Sequence, residues 1–435
     1  MIRFRYFTAS ILLLLLMIIS LFWFSNHAEA AEVLHIQVSG VINPVSAEFI
    51  GKAVKDAGEM NAAALLIELD TPGGLDTSMR SIVKDIAASR VPVIVFVSPR
   101  GARAASAGVF ITMSAHVAAM SPGTNIGAAH PVSVGGKMDN VTSEKATNDS
   151  AAYIKTIAQQ SGRNDKWAED SVRNSVSVTE MDAVKLRVVD LVANDVQSLL
   201  NAVDGRAVQT AAGETVLKTA NAKTIKREMG LRSRVLDIIS NPNVAYILML
   251  LGFYGLFFEL TNPGVVAPGV IGAICLILAF YSFQTLPVNY AGLLLIIVGI
   301  VLFILEVKVT SYGMLTVGGV FSLVLGSMML FDSPLPFFKV SVSLILPTAL
   351  FTAMFFFLTF RLAYKAYKTK PATGQEGLVG LEGTAKTDIN DHDGMVMVHG
   401  ELWSAYSNEP ISKNENVIVE EVRGLKVKIR KINLV

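Results

Sequence analysis

Five apolar segments, at about residues 244–260, 265–283, 289–306, 313–331 and 340–361, constrain this chain more than any other feature of it. A membrane-crossing helix needs about twenty apolar residues, and each segment approaches that length. Some carry Gly or Pro, which membrane helices tolerate. The connections are very short, so consecutive segments are expected to pack as hairpins. Of 435 residues, 52% are hydrophobic, and the excess over a soluble domain is concentrated in this stretch. The chain must therefore be organised as a membrane part with a separate body on each side.

The N-terminus reads as a secretory signal. Arg3 and Arg5 precede the apolar stretch Ile11–Phe24, and Ala28-Glu-Ala30 places small residues at cleavage-site spacing. At fourteen residues the apolar run is short for a span, so cleavage near Ala30 or Ala31 is expected, with an uncleaved anchor as the alternative. Either way the region that follows is exported. Five spans then put the C-terminus in the cytoplasm, and Arg361, Lys365, Lys368 and Lys370 after the last span agree with the positive-inside rule. Glu259 and Glu306 fall at helix ends in two weakly repeated hairpins. An interfacial, solvated carboxylate is expected there, whereas burial would be costly and functional.

Residues 31–205 read as a soluble α/β domain. Strands are expected over 33–38, 63–69, 93–97 and 116–120, and helices over 44–58, 77–88, 106–113 and 144–161. That alternation argues for parallel βαβ units. Residues 206–240 are polar and basic and read as a linker with an amphipathic helix at the membrane surface. Residues 241–362 are the membrane domain. Residues 376–435 read as five short strands, enough for a small all-β barrel of the oligonucleotide/oligosaccharide-binding (OB-fold) shape. Trp403 is the one candidate exposed aromatic for a ligand on it.

Composition excludes several chemistries. A net charge of +1 supplies no global field for nucleic acid. The single cysteine, Cys275, rules out an internal disulfide or a cysteine metal site, and the six histidines show no ligand spacing. Neither a metal nor a cofactor is expected.

The chemistry is expected at Ser106, in Arg103-Ala-Ala-Ser-Ala-Gly-Val-Phe110. It follows a strand and opens a helix of small residues, so its hydroxyl lies at a kink and the next backbone N–H is free to bind an anion. Upstream, Leu69-Asp-Thr-Pro-Gly-Gly-Leu75 ends a strand in two glycines whose amides can approach a ligand closely. A serine hydroxyl needs a base. His116 begins a core strand, and His130 lies on a loop that could approach the site. Lys137 sits in a Gly-rich loop and is expected to be solvated. Lys145 stands at the start of the 144–161 helix, where the helix dipole opposes its charge. Lys155 is ten residues on, about 15 Å along a helix, so only one of the two easily reaches Ser106. Position alone puts Lys145 ahead.

The order Asp70-Thr-Pro-Gly-Gly74, Ala105-Ser-Ala-Gly108 and Met120-Ser-Pro-Gly-Thr-Asn-Ile-Gly127 resembles the Clp-protease/crotonase superfamily. The continuation Lys145-Ala-Thr-Asn-Asp-Ser-Ala-Ala-Tyr-Ile-Lys155, Gln160-Ser-Gly-Arg-Asn164 and the barrel segment Val398-His-Gly-Glu-Leu-Trp-Ser-Ala405 are similar to the long-form NfeD membrane proteases, partners of stomatin- and flotillin-type proteins. The likeness covers essentially the whole chain. It implies a serine–lysine dyad of Ser106 and Lys145, with the amides of Gly73, Gly74 and Ala107 as the oxyanion hole. It further implies a bacterial plasma-membrane endopeptidase whose extracytoplasmic domain cuts hydrophobic segments, including one of a stomatin- or flotillin-like partner. By analogy with Clp-like folds, a homo-oligomer is expected. The alternative is a non-enzymatic organiser of flotillin-type membrane patches. An acyl-thioester enzyme of the crotonase kind shares the fold but explains neither the serine and lysine nor export.

Overall fold

The computed structural model describes residues 17, 31–133, 139–261, 264–309, 311, 313–368 and 375–432. The expected leader, apart from Met17, and Lys137 lie outside the described residues. The first body runs β1 (Glu32–Ser39), α1 (Pro44–Glu59), β2 (Ala64–Asp70), α2 (Asp76–Ala87), β3 (Val93–Val97), β4 (Arg103–Ala105), α3 (Ala107–Ser114), β5 (Val117–Met120) and β6 (Asn125–Gly127). It continues through α4 (Asn140–Gln160), α5 (Asp165–Arg173), β7 (Ser177–Thr179), α6 (Glu180–Lys185), β8 (Leu191–Val192), α7 (Val196–Val203), β9 (Ala207–Thr210), β10 (Gly213–Val216) and β11 (Lys223–Lys226).

A six-stranded sheet forms in the order β11-β1-β2-β3-β5-β8, with every neighbouring pair parallel. Its central strands are buried on both faces, as parallel strands under crossover helices must be. Leu34, Ile36, Leu65 and Ile67 join one core with Ile50, Ile82, Ile111 and Ile154 from the helices. Val33, Leu66, Ile94 and Phe96 point the other way, against Leu199, Leu200 and Val203 of α7. A second, three-stranded sheet, β4-β6-β7, is built from strands of three residues each.

The sheet does not stop at residue 205. β11 lies within the stretch expected to be a linker, yet it pairs in register with β1 from Glu32↔Lys223 to His35↔Lys226. An edge strand reading Lys-Thr-Ile-Lys is polar on its open side, so the sequence presents it as a basic run.

Beyond it come α8 (Leu231–Ile239), α9 (Pro242–Thr261), α10 (Val266–Phe283), α11 (Tyr290–Lys308), α12 (Met314–Met329) and α13 (Val342–Lys368). All five expected apolar segments are helical, but among the described residues three stretches are long and apolar enough to cross a membrane: Pro242–Leu260, Val266–Phe283 and Pro336–Leu358. Tyr290–Glu306 and Met314–Met329 are shorter. α9 and α10 approach closely through glycine, since a Cβ on Gly255 would come within 2.9 Å of the Gly272 Cα.

Glu306 departs from the solvated carboxylate expected of it. It is only 5% exposed, and it accepts hydrogen bonds from Ser311 Oγ (2.6 Å), Gly313 N (3.0 Å) and Thr316 N (3.0 Å). The α11–α12 connection folds back so that the carboxylate caps the start of α12, where unpaired N–H groups and the helix dipole welcome an anion.

The C-terminal body is a closed five-stranded barrel of β12 (Glu382–Ala385), β13 (Met395–Val398), β14 (Glu401–Tyr406), β15 (Asn416–Arg423) and β16 (Lys426–Lys431). Their order is β12-β13-β14-β16-β15. Ala385, Val396, Val398, Ala405, Val417, Val419, Val427 and Ile429 fill it, and Trp403 packs part-buried against that core rather than standing free.

One buried ion pair ties the first body together. Arg163, at 8% exposure, donates to the Met113 and Ala115 carbonyls (2.9 and 2.8 Å) and to Asp190 (2.7 Å). Asp190 also accepts from Ala118 N and Arg206, each at 2.7 Å. Burial pushes the Asp190 carboxyl upward, but the Arg163 charge, the Ala118 N–H and Arg206 outweigh it and leave the pKa lowered. A depressed carboxylate contributes stability that is complete above its unfolded value, near pH 4, and is lost as pH falls through the folded value. Arg163→Met is expected to destabilise this body by about 3 kcal/mol, because Asp190 loses one of its two cationic partners and the Met113 and Ala115 carbonyls lose their donor. The acid-induced loss of its hydrogen-exchange protection should also be smaller than the parent's, since one of the groups that depress Asp190 is gone. Parent-like protection in the variant would refute this.

Candidate active site

Ser106 sits between β4 and α3 with φ 51° and ψ −111°, on the positive-φ side that residues with a Cβ rarely adopt. Its N–H donates to the Gly127 carbonyl (3.1 Å) and its carbonyl accepts from Val109 N (3.0 Å), so the flanking elements hold the kink. It is the N-cap residue of α3, yet its hydroxyl makes no capping hydrogen bond. That leaves Oγ half-buried and without a hydrogen bond among the described residues.

Around it the expected donors differ among themselves. Ala107 opens α3, and its N–H, like any in a first helical turn, has no partner within the helix. Gly73 (φ 119°) lies directly against the serine. A Cβ there would come 2.7 Å from Ser106 Cβ and 3.1 Å from Oγ. Its N–H, however, already donates to Thr71 Oγ1 (3.0 Å), whose hydroxyl donates back to the Gly73 carbonyl (3.1 Å). Gly74 forms a parallel bridge with Ile42: Ile42 N donates to the Gly73 carbonyl (2.8 Å) and Leu75 N to the Ile42 carbonyl (2.9 Å). Those bonds use the atoms on either side of the Gly74 N–H. Thr71, Ile42 and Gly127 were not singled out by sequence reasoning. Thr71 alone carried a signal, a hydroxyl two residues before the glycine pair.

The candidate bases separate clearly. His116 Nδ1 accepts the Val93 N–H (3.0 Å), and burial, then the Arg163 charge, lowers its pKa, so it is a neutral structural imidazole. His130 is held through Nδ1 to the Val172 carbonyl (2.9 Å). Lys155 is paired with Glu169 at 2.9 Å. That hydrogen bond, then the Glu169 charge, raises its pKa, which keeps its proton on. Lys145 is exposed on the second turn of α4, and no hydrogen bond joins it to Ser106. The packed half of that helix begins at Ser150, where Tyr153 stacks on Phe110 of α3 (6.0 Å) under the Arg80 guanidinium (4.4 Å). The structure thus sets Gly73 against Ser106 at the start of α3 and leaves Lys145 on the exposed half of α4.

The chain is 35% identical over 426 residues to the membrane-bound protease PH1510 of Pyrococcus horikoshii, covering 95% of this chain and 96% of that protein. It belongs to the NfeD family. Residues 32–225 match the N-terminal domain of NfeD1b, 243–362 the NfeD integral membrane domain and 375–431 the NfeD-like C-terminal, partner-binding domain. The membrane protein NfeD1b of Bacillus subtilis is 27% identical to this NfeD chain over 436 residues, 93% of it and 94% of the relative. Among solved structures, a Lys-to-Ala mutant of the 1510-N membrane-bound stomatin-specific protease in complex with a substrate peptide is similar. It is 33% identical, with a TM-score of 0.46, and covers 48% of this chain and 98% of its own.

Gly73→Ala tests the geometry of this NfeD site directly. The added methyl meets Ser106 and is strained at φ 119°. Phosphonylation of Ser106 by a fluorophosphonate, in which Oγ bonds to phosphorus and fluoride leaves, should slow by roughly 100- to 1,000-fold, the scale typical of a disturbed oxyanion contact. Labelling at the parent rate would refute the arrangement.

Proposed function

We propose that this chain is a membrane-anchored serine endopeptidase of a Clp-protease/crotonase-like fold, with Ser106 as nucleophile and Lys145 as general base. The observation that carries the reading is Ser106 itself: a strained backbone, a hydroxyl unused by the fold, and a glycine packed against it. A fold gains nothing from such a serine, and a nucleophile requires it. The name of PH1510, a membrane-bound protease, supports proteolysis.

In this reading Ser106 Oγ attacks the scissile carbonyl of a bound segment. The N–H groups of Gly74 and Ala107 take the developing oxyanion, and Gly73 joins them once Thr71 gives up its amide. An amine accepts a proton only in its neutral form, which an apolar substrate lying over the site favours by excluding water. Lys145 reaches Ser106 when the projecting half of α4 closes onto that substrate, takes the hydroxyl proton and returns it to the leaving amine. The substrates are apolar segments of membrane-associated proteins, a stomatin- or flotillin-like partner among them.

The protease domain stands outside a bacterial plasma membrane behind a cleaved signal over residues 1–30, and the OB-like barrel stands in the cytoplasm. Three crossings or five are both odd, so this topology holds for either count. Assembly into a homo-oligomer belongs to the same proposal. The match of residues 375–431 to a partner-binding domain favours a second role, recruiting a flotillin-type scaffold.

Ser106→Ala and Lys145→Ala are each expected to lower cleavage of an apolar peptide by the reconstituted full chain by at least about a thousandfold. Lys155→Ala should stay within a few-fold of the parent. Equal cleavage by all three variants would rule out the dyad. If Ser106→Ala restored every phenotype of a deletion strain, the scaffold role would be the physiological one.

A further inference from the structure

α8 joins the protease domain to the first membrane span, and one of its faces has no cover among the described residues. Leu231, Val235 and Ile238 are 80%, 45% and 53% exposed. Their i, i+4, i+7 spacing aligns them in one stripe. Ile239, off that stripe, is buried at 4%, and Arg232 beside it is exposed.

Two hydrogen bonds and a short link fix the level at which α8 lies. Ser282 Oγ, in the last turn of α10, donates to the Ile239 carbonyl (2.7 Å). α9 begins at Pro242, three residues beyond Ile239. Asn243 Oδ1, in the first turn of α9, accepts from Ser341 N just before α13 (2.8 Å). Two spans thus begin and a third ends at the depth of α8, which is where hydrocarbon gives way to headgroups. A stripe of Leu, Val and Ile beside an arginine suits that boundary. On the face turned to the protease domain, Asp237 Oδ1 accepts from Asn43 Nδ2 (2.8 Å). Asn43 is the N-cap of α1, and its Oδ1 accepts from Ser46 N (2.8 Å). The residue before it is Ile42, whose backbone holds the Gly73 carbonyl and the Leu75 N–H.

We propose that α8 is a strut seated in the bilayer surface that, through Asp237 and Asn43, holds the Ile42–Gly74 bridge in register beneath Ser106. The bilayer is then part of the active site's support, and the segments cut are those lying at the membrane surface. A cavity of about 330 Å³ between the strut and the bridge, lined by Leu75, Asp237, Ile238, Leu286, Phe337 and Phe338, has room for the apolar side chains of such a segment. The coupling to turnover rests on Ser106 being the nucleophile. The seating of α8 in lipid does not.

The test uses the full chain with Cys275→Ser, reconstituted into phosphatidylcholine–phosphatidylglycerol vesicles, with single nitroxide labels at positions 231, 235, 238 and 216. Val216, 52% exposed on β10, is the aqueous reference. Labels on α8 should collide with oxygen and be shielded from a nickel chelate, and the label at 216 should show the reverse. Nickel access equal to that at 216, or shielding from both agents by a covering protein surface, would overturn the lipid seat. For the coupling, Asp237→Ala should lower kcat in vesicles roughly ten- to a hundredfold with little change in KM, the scale of a small misplacement remote from the chemistry. Asp237→Asn, which keeps the accepting oxygen, should recover most of the loss. An unchanged kcat in Asp237→Ala refutes the strut. Cleavage by no variant, the parent included, refutes the nucleophile and leaves the labelling result standing.

Discussion

A side chain at position 73 would collide with the serine beside it, and much of the first body serves to keep that gap open. Gly73 is placed from three directions: Thr71 grips its amide and carbonyl, Ile42 holds the same carbonyl from the β1–α1 loop, and Ser106 closes the third side. Ser106 is in turn held in its kink by Gly127 from the small second sheet. Gly108 lets α3 come down onto the scene, because a Cβ there would come within 2.7 Å of Thr71 Cγ2. Each contact is ordinary by itself. Together they allow one backbone path, and that path sets an uncommitted hydroxyl beside helix-start amides. Strain of a few kcal/mol at one residue persists only where its surroundings over-determine it in this way.

The large parallel sheet carries this load because its strands end where the loops of the site begin. β2 ends at Asp70, one residue before Thr71, and Asp70 Oδ1 accepts from Arg103 N (3.0 Å) at the start of β4. Ligand sites in open parallel sheets gather at the carboxyl ends of strands, and β1 and β2 both deliver their following loops to the same place. The Arg163–Asp190 pair works at a distance from the chemistry. It joins the end of α3 to β5 and to the approach to β8, so the helix that begins at Ser106 is fixed at its far end too.

The sequence disclosed what depends on long patterns. The alternation of strands and helices over residues 33–161 was legible because parallel strands buried on both faces are uninterrupted apolar runs. The five apolar segments were legible for the same reason. Three-residue strands such as Arg103–Ala105 and Asn125–Gly127 have no room for a pattern, so the second sheet was invisible even though it supplies the Gly127 carbonyl. β11 was hidden by the lysines at its two ends. Within the site, Ser106 and the glycine pair could be read because a kink and a close approach each demand a residue type. The engagement of the Gly73 amide by Thr71 could not, since a hydroxyl two residues away marks many loops that make no such bond.

Glu306 and Lys145 teach opposite halves of one lesson. Both are charged residues near the end of a helix, and the sequence assigns each an environment from position alone. Glu306 was expected in water, but a short connection returns the start of α12 to it, and three donors make burial tolerable. Lys145 was expected beside Ser106, but its half of α4 carries little apolar surface: polar bonds from Arg80 to Asp149 and from Arg173 to Asn148 touch it, and burial against the domain starts only at Ser150. Position along a helix fixes which way a side chain leaves the axis. Whether that direction meets protein or water is decided by what the rest of the chain can bury there, and for the base proposed at Lys145 that is one more reason to let the substrate complete the site.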